Sequence, residues 1–196
     1  MDLLTTLLVG VPAQVAVFAL VPLAWWLQAS RPDGSFLRWL GFTPVTDGRD
    51  PLVLAATVVC GLGFFGGALI GGTGPWTSTG SGLAVVLAVA VTAVFQTALA
   101  EELFFRGFLL RWLGERRSGP LVANVLQALA CGVLRLVMHW LFVDREPAAA
   151  LVAMVLGVGS AFLAGWLRQR TGSLLLSWAA HGAGNLLAGL VALVLR

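Results

Sequence analysis

Glu101, Glu102 and Arg106 stand inside a stretch that otherwise reads as membrane-spanning helix, and residues 51 to 100 before them contain no Asp, Glu, Lys or Arg. Each charge at bilayer depth costs roughly 2.5–3.5 kcal/mol, so three together cost about 8–10 kcal/mol. That is comparable with the whole net stability of a typical domain, which marks the cluster as the feature to explain. On an α-helix Glu102 and Arg106 share a face, while Glu101 points roughly 100° away. The arginine can thus hold one carboxylate and leave the other for a different task, such as the proton acceptance asked of a general base.

Two more polar stripes follow. Asn124, Gln127, Cys131, Arg135 and His139 recur at steps of three or four residues and so line one helix face. Arg135 is a fourth intramembrane charge and the natural partner of Glu101 or Glu102 across a helix interface, where pairing offsets the burial cost. His139 lies a turn nearer the membrane surface beside Trp140, a position where a lone histidine is more often solvated than catalytic. Ser177, His181 and Asn185 repeat at four-residue steps. Taken alone they are equally explained by helix-to-helix hydrogen bonds, which average below about 1 kcal/mol in membranes. Together the stripes supply a base for water and donors for a developing oxyanion, the minimal kit for hydrolysing an amide. There is no His-Glu-x-x-His helix and little imidazole or thiolate, so neither a bound metal nor a cofactor is expected.

Such groups can meet only if helices carry them there. The 196 residues are 59% hydrophobic and 11% charged, with no Tyr and no Lys, a composition foreign to water-soluble domains. Apolar runs at about 3 to 27, 52 to 71, 82 to 112, 120 to 143, 147 to 167 and 173 to 195 are long enough to cross the hydrocarbon core. They predict an all-α integral membrane protein, one transmembrane domain over 1–196 with six spans around a polar cavity. The long third run should emerge at the surface near Arg111 and Trp112. The first run lacks a basic n-region and reads as a span rather than a signal peptide.

All twelve cations are Arg. Arg31, Arg38, Arg49, Arg111, Arg116, Arg117, Arg168 and Arg170 fall on one side of this layout, against Arg145 and Arg196 on the other. The imbalance places the first set in the cytoplasm and both termini outside. The same distribution makes the high pI a topology signal and excludes nucleic acid as a partner. Trp25, Trp26, Trp112, Trp140 and Trp166 lie near span ends, as an interfacial belt requires. The segment Phe36 to Leu40 reads as an amphipathic turn in the interface, and the glycine-rich run Gly71 to Gly80 as a flexible connection or lid. Gly63, Gly67 and Gly71, and Ala153, Gly157, Ala161 and Gly165, form four-step stripes that read as packing seams.

The stretch Ala100-Glu101-Glu102-Leu103-Phe104-Phe105-Arg106-Gly107 resembles the Glu-Glu-x-x-x-Arg motif of the CAAX protease and bacteriocin-processing family (CPBP, also called ABI). These are glutamate intramembrane proteases related to the type II CAAX prenyl endopeptidase. His181-Gly182-Ala183-Gly184-Asn185 is similar to the family's late His-x-x-x-Asn motif, and the likeness covers about residues 82 to 195. It implies that Glu101 activates water, that Glu102 and Arg106 support it, and that His181 and Asn185 bind the substrate carbonyl and the oxyanion. The intervening motif departs: Cys131 stands for the usual Phe and Arg135 for the usual His. His139 lies one turn further along the same face, about 6 Å away in depth.

Three readings follow from that departure. Arg135 replaces the imidazole as a permanently charged oxyanion donor in a glutamate endopeptidase, the leading expectation. Alternatively Cys131 is a nucleophile assisted by Arg135 and His181, resembling exosortase-type sorting enzymes, with the nearby charge favouring the thiolate. In the third, a non-catalytic scaffold or immunity-type relative keeps the charges to hold its helices together. The expected substrate is a membrane-embedded or lipidated peptide or protein reached from the bilayer, in C-terminal processing or sorting. The all-Arg, alanine-rich composition points to a GC-rich bacterium and so to its inner membrane.

Overall fold

A computed structural model describes residues 5–29, 34–71, 82–143 and 145–195. Six helices among these are long and apolar enough to cross a membrane, and the protein is an all-α integral membrane bundle. The spans are α1 (Leu7–Gln28), α3 (Pro51–Ile70), α4 (Leu83–Arg116), α5 (Gly119–Phe142), α6 (Pro147–Thr171) and α7 (Leu175–Val194). Between the first two lies the short α2 (Phe36–Leu40). Proline begins α3 and α6 beside a capping carboxylate: Asp50 accepts from the Leu52 amide at 2.9 Å and Glu146 from that of Ala149 at 2.6 Å. Both placements suit the donors left open at a helix start.

The large apolar side chains facing outward, among them Leu54, Val58 and Leu62 of α3 and Leu121, Val125 and Leu129 of α5, are a lipid-facing surface, where burial against protein is not required. Inside, α7 packs against α3, α4 and α6, while α6 packs against α5 and α3 and α1 lies along α4. Small residues make the approaches close. A Cβ on Gly165 would collide with Asn124 and Gln127, one on Gly63 with Ser160, and one on Gly184 with the Gly61 carbonyl. Asn124 and Gln127 thereby reach the carbonyls of Phe162 and Ala161 at 3.0 and 2.9 Å, which assigns the upper part of their stripe to the α5–α6 seam.

The helix carrying Glu101 and Glu102 is not uniformly α. Thr92–Leu99 and Leu103–Leu109 are wound with i→i+5 hydrogen bonds, and only the three residues Ala100–Glu102 between them are α-helical. Wider turns of this kind frequently accompany functional sites. The helix also continues past Trp112 to Arg116.

Residues 41 to 50 are tied to the α6–α7 corner. Leu174 N–H donates to the Gly41 carbonyl at 2.7 Å, Thr46 Oγ1 to that of Thr171 at 2.6 Å, and Ser173 Oγ to that of Thr43 at 2.5 Å. Arg170 adds an ion pair to Asp50 at 3.3 Å. The Leu52 amide first and Arg170 second hold the Asp50 carboxyl below its ordinary range. This corner presses α2 onto α4: Leu40 is fully buried and lies where a side chain on Gly107 would begin. The glycine that ends the Glu-Glu-x-x-x-Arg-Gly run thus has a packing reason. Trp39 and Leu40 turn inward while Leu37 is exposed, the amphipathic division expected of this turn. The glycine-rich run expected as a lid lies, beyond Gly71, outside the described residues.

Candidate active site

Three helices bring five charged or titratable side chains into one buried chain of contacts. Glu102 Oε1 on α4 stands 3.0 Å from Arg106 Nη1 and 3.1 Å from His181 Nδ1 on α7. The other ring nitrogen, His181 Nε2, lies 3.2 Å from Arg135 Nη2 on α5, and the same Nη2 is 2.7 Å from Glu101 Oε2. Glu101 Oε2 is itself 3.9 Å from His181 Nε2. The two adjacent carboxylates therefore have separate partners, as their angular separation demanded.

The contacts fix the imidazole's proton. A guanidinium can only donate, so Nε2 accepts from Arg135, and the ring N–H sits on Nδ1 and donates to Glu102. Phe64 of α3 lies flat against the ring, centroids 3.6 Å apart at 11°, and removes its remaining freedom. Arg106, also enclosed, has its Cζ 5.7 Å from the Phe64 ring centroid and 5.9 Å from that of Phe105, geometry in which an aromatic face attracts a cation. Glu102, Arg106 and His181 thus form a buried, mutually braced support.

Glu101 differs. It retains 7% of its surface against 0% for Glu102, and the Arg135 side chain beside it is 25% exposed. The accessible edge of the cluster is formed by these two, with His181 behind them. Gly157 of α6 makes room for Arg135, since a Cβ there would press on Arg135 Cγ at 3.0 Å. The small-residue stripe of α6 therefore seats a site residue as well as a packing seam.

The remaining candidates are placed as follows. Asn185 donates to Thr97 Oγ1 at 3.0 Å, one turn before Glu101 on α4. Cys131 is a free, fully buried thiol in an apolar cluster with Phe105, Ala128 and Ala161. His139 is buried, not solvated as its place near a span end led us to expect. Among the described residues no three His, Cys, Asp or Glu side chains are grouped so as to hold a metal ion. Phe64 and Thr97 were not singled out from the sequence. Phe64 sits on a span without charge, and no polar spacing signals a ring that acts by its flat face.

The family model described as type II CAAX prenyl endopeptidase Rce1-like matches residues 82–187, more than half of the chain, covering all of α4, α5 and α6 and α7 as far as Leu187. No curated protein and no solved structure gives a significant match.

Proposed function

Because the chain belongs to the Rce1-like family of type II CAAX prenyl endopeptidases, we propose that it is an intramembrane endopeptidase of glutamate type, in which Glu101 is the general base. The observation that supports this most is the division of labour between the carboxylates. Glu102 is consumed by Arg106 and His181, whereas Glu101 lies at the accessible edge.

In this reading Glu101 takes a proton from water as the water oxygen bonds to the peptide carbonyl carbon, and the C=O electron pair moves onto oxygen. Arg135 donates to that oxyanion from the position where family members usually carry His. On collapse the C–N bond breaks, and the proton held by Glu101 passes to the leaving nitrogen. His181, oriented by Glu102 and stacked on Phe64, holds Arg135 from behind, and Asn185 with Thr97 would meet the substrate one turn away.

The substrate class is a lipid-modified or membrane-anchored protein cut near its C-terminus, because a site enclosed by lipid-facing helices is reached laterally. A sorting role in a bacterial inner membrane, with both termini outside, accords with the all-Arg composition and its distribution. A cysteine mechanism is disfavoured by the apolar enclosure of Cys131 by Phe105, Ala128 and Ala161, since thiolates are disfavoured in such surroundings.

The test is the purified protein in liposomes with a prenylated C-terminal peptide, products identified by mass. The reading requires cleavage of the prenylated peptide, retained in Cys131→Ser. No cleavage by the wild type, or cleavage lost in Cys131→Ser at unchanged thermal stability, would overturn it.

A further inference from the structure

Arg106 is only partly satisfied by the cluster it supports. Its Nη1 approaches Glu102 at 3.0 Å, yet Nε and Nη2 are buried without a hydrogen-bond acceptor. Arg106 also borders a second space, an open cavity of about 260 Å³ at the arginine-rich end of the bundle. Arg111 of α4 and Arg168 of α6 line the same cavity, with Leu110, Gly114, Pro120 and Gln169 completing it. The lining holds three guanidinium groups and no carboxylate.

Both outer arginines are held in place. Arg168 lies against Gly41, whose left-handed backbone (φ +104°) and missing side chain leave room for the guanidinium, since a Cβ there would collide with it. Its Nε, like that of Arg106, is buried without an acceptor. Arg111 donates to the Trp39 carbonyl at 3.1 Å and to Glu115 at 2.8 Å. Glu115 neutralises one charge from the outer side and leaves the cavity cationic. Buried donors without acceptors are costly, and guanidinium forks from different helices suit an anion that presents several oxygens in different directions.

We propose that this cavity binds a phosphate group, carried by the headgroup of an anionic phospholipid. The position favours a lipid as the source. The cavity lies where α4 ends and α5 begins, near Trp39 and Trp112, and basic pockets between membrane helices at that level bind such headgroups. From Pro120 at its rim, the exposed apolar side chains of Leu121 and Val125 run along α5 and offer an acyl chain a path into the bilayer. The proposal does not rest on the peptidase reading.

The test is native mass spectrometry of the full chain in detergent, titrated with phosphatidic acid or phosphatidylcholine, beside thermal unfolding with added inorganic phosphate. The wild type should prefer phosphatidic acid. Arg168→Gln and Arg111→Gln should each weaken that preference by about fivefold, the worth of one basic residue at an anionic lipid surface. Arg168→Lys, which keeps the charge without the fork, should fall between wild type and Arg168→Gln. Equal binding of the two lipids, or an undiminished preference in both glutamine variants, would overturn the proposal. Inorganic phosphate raising Tm through the same arginines, with no preference for phosphatidic acid, would overturn the lipid source and assign the site to soluble phosphate.

Discussion

Arg135 reaches Glu101 from a neighbouring helix, Nη2 to Oε2 at 2.7 Å. The same nitrogen faces His181 Nε2 at 3.2 Å. A permanently charged group thus stands between the carboxylate and the imidazole at the accessible edge of the cluster, and the consequences can be measured.

Arg135→Met should lower kcat for the prenylated peptide by about 10²–10³, the usual effect of removing an oxyanion donor. Arg135→His, which keeps a ring N–H donor at this position, should retain more activity than Arg135→Met. Steady-state kinetics of the two variants in liposomes checks the order.

Glu102→Gln and Glu101→Gln should part company in stability. The first leaves Arg106 buried beside a neutral amide and should cost about 3–5 kcal/mol, as breaking a buried pair does. The second removes a partner of an Arg135 that is partly exposed and should cost distinctly less. Thermal unfolding of both in one detergent compares them directly.

Phe64→Ala should reduce both stability and turnover, because the ring braces His181 and borders Arg106. Lost burial and the cavity left behind together cost about 3–5 kcal/mol. Phe64→Leu, which fills much of the space without a flat face, should recover stability more than turnover, an outcome that a purely packing role for the ring would not produce.

How far was this legible beforehand? The six spans were, because a run of apolar residues must be about as long as the bilayer is thick, whereas α4 and α6 run on to Arg116 and Thr171, past the ends expected at 112 and 167. The facing of Glu102 and Arg106 was, because i,i+4 spacing survives even the widened turns on either side of Glu102. Spacing left open whether Arg135 meets Glu101 or Glu102, since a stripe defines a face but not the crossing angle or depth at which another helix meets it. For the same reason His181 and Asn185, neighbours on one face, find different partners in Glu102 and Thr97. The widened winding of α4 and the stacking of Phe64 leave no pattern of polar residues and were not readable at all.

Gly165→Ala should destabilise the bundle by about 1–3 kcal/mol, the cost of overpacking, because its methyl group meets Asn124 and Gln127. A double variant with Asn124→Ala should recover part of the loss. Unfolding in detergent reads both.

Asp50→Asn should lower thermal stability at neutral pH. The charge on Asp50 stabilises the fold above the ordinary value of 3.8, and this contribution is lost as pH falls through the lower value it has in the folded state. The gap between wild type and variant should therefore hold from pH 8 to 5 and close only in stronger acid, which a pH series of unfolding curves follows.

The central claim is that Glu101 accepts the proton from water. Its most direct measurement is the single-turnover cleavage rate of a prenylated peptide by Glu101→Gln, at a temperature where wild type and variant are equally folded. A fall of at least about 10² is predicted, at the lower bound for loss of a general base. A Glu101→Gln rate within a few-fold of wild type would contradict the account.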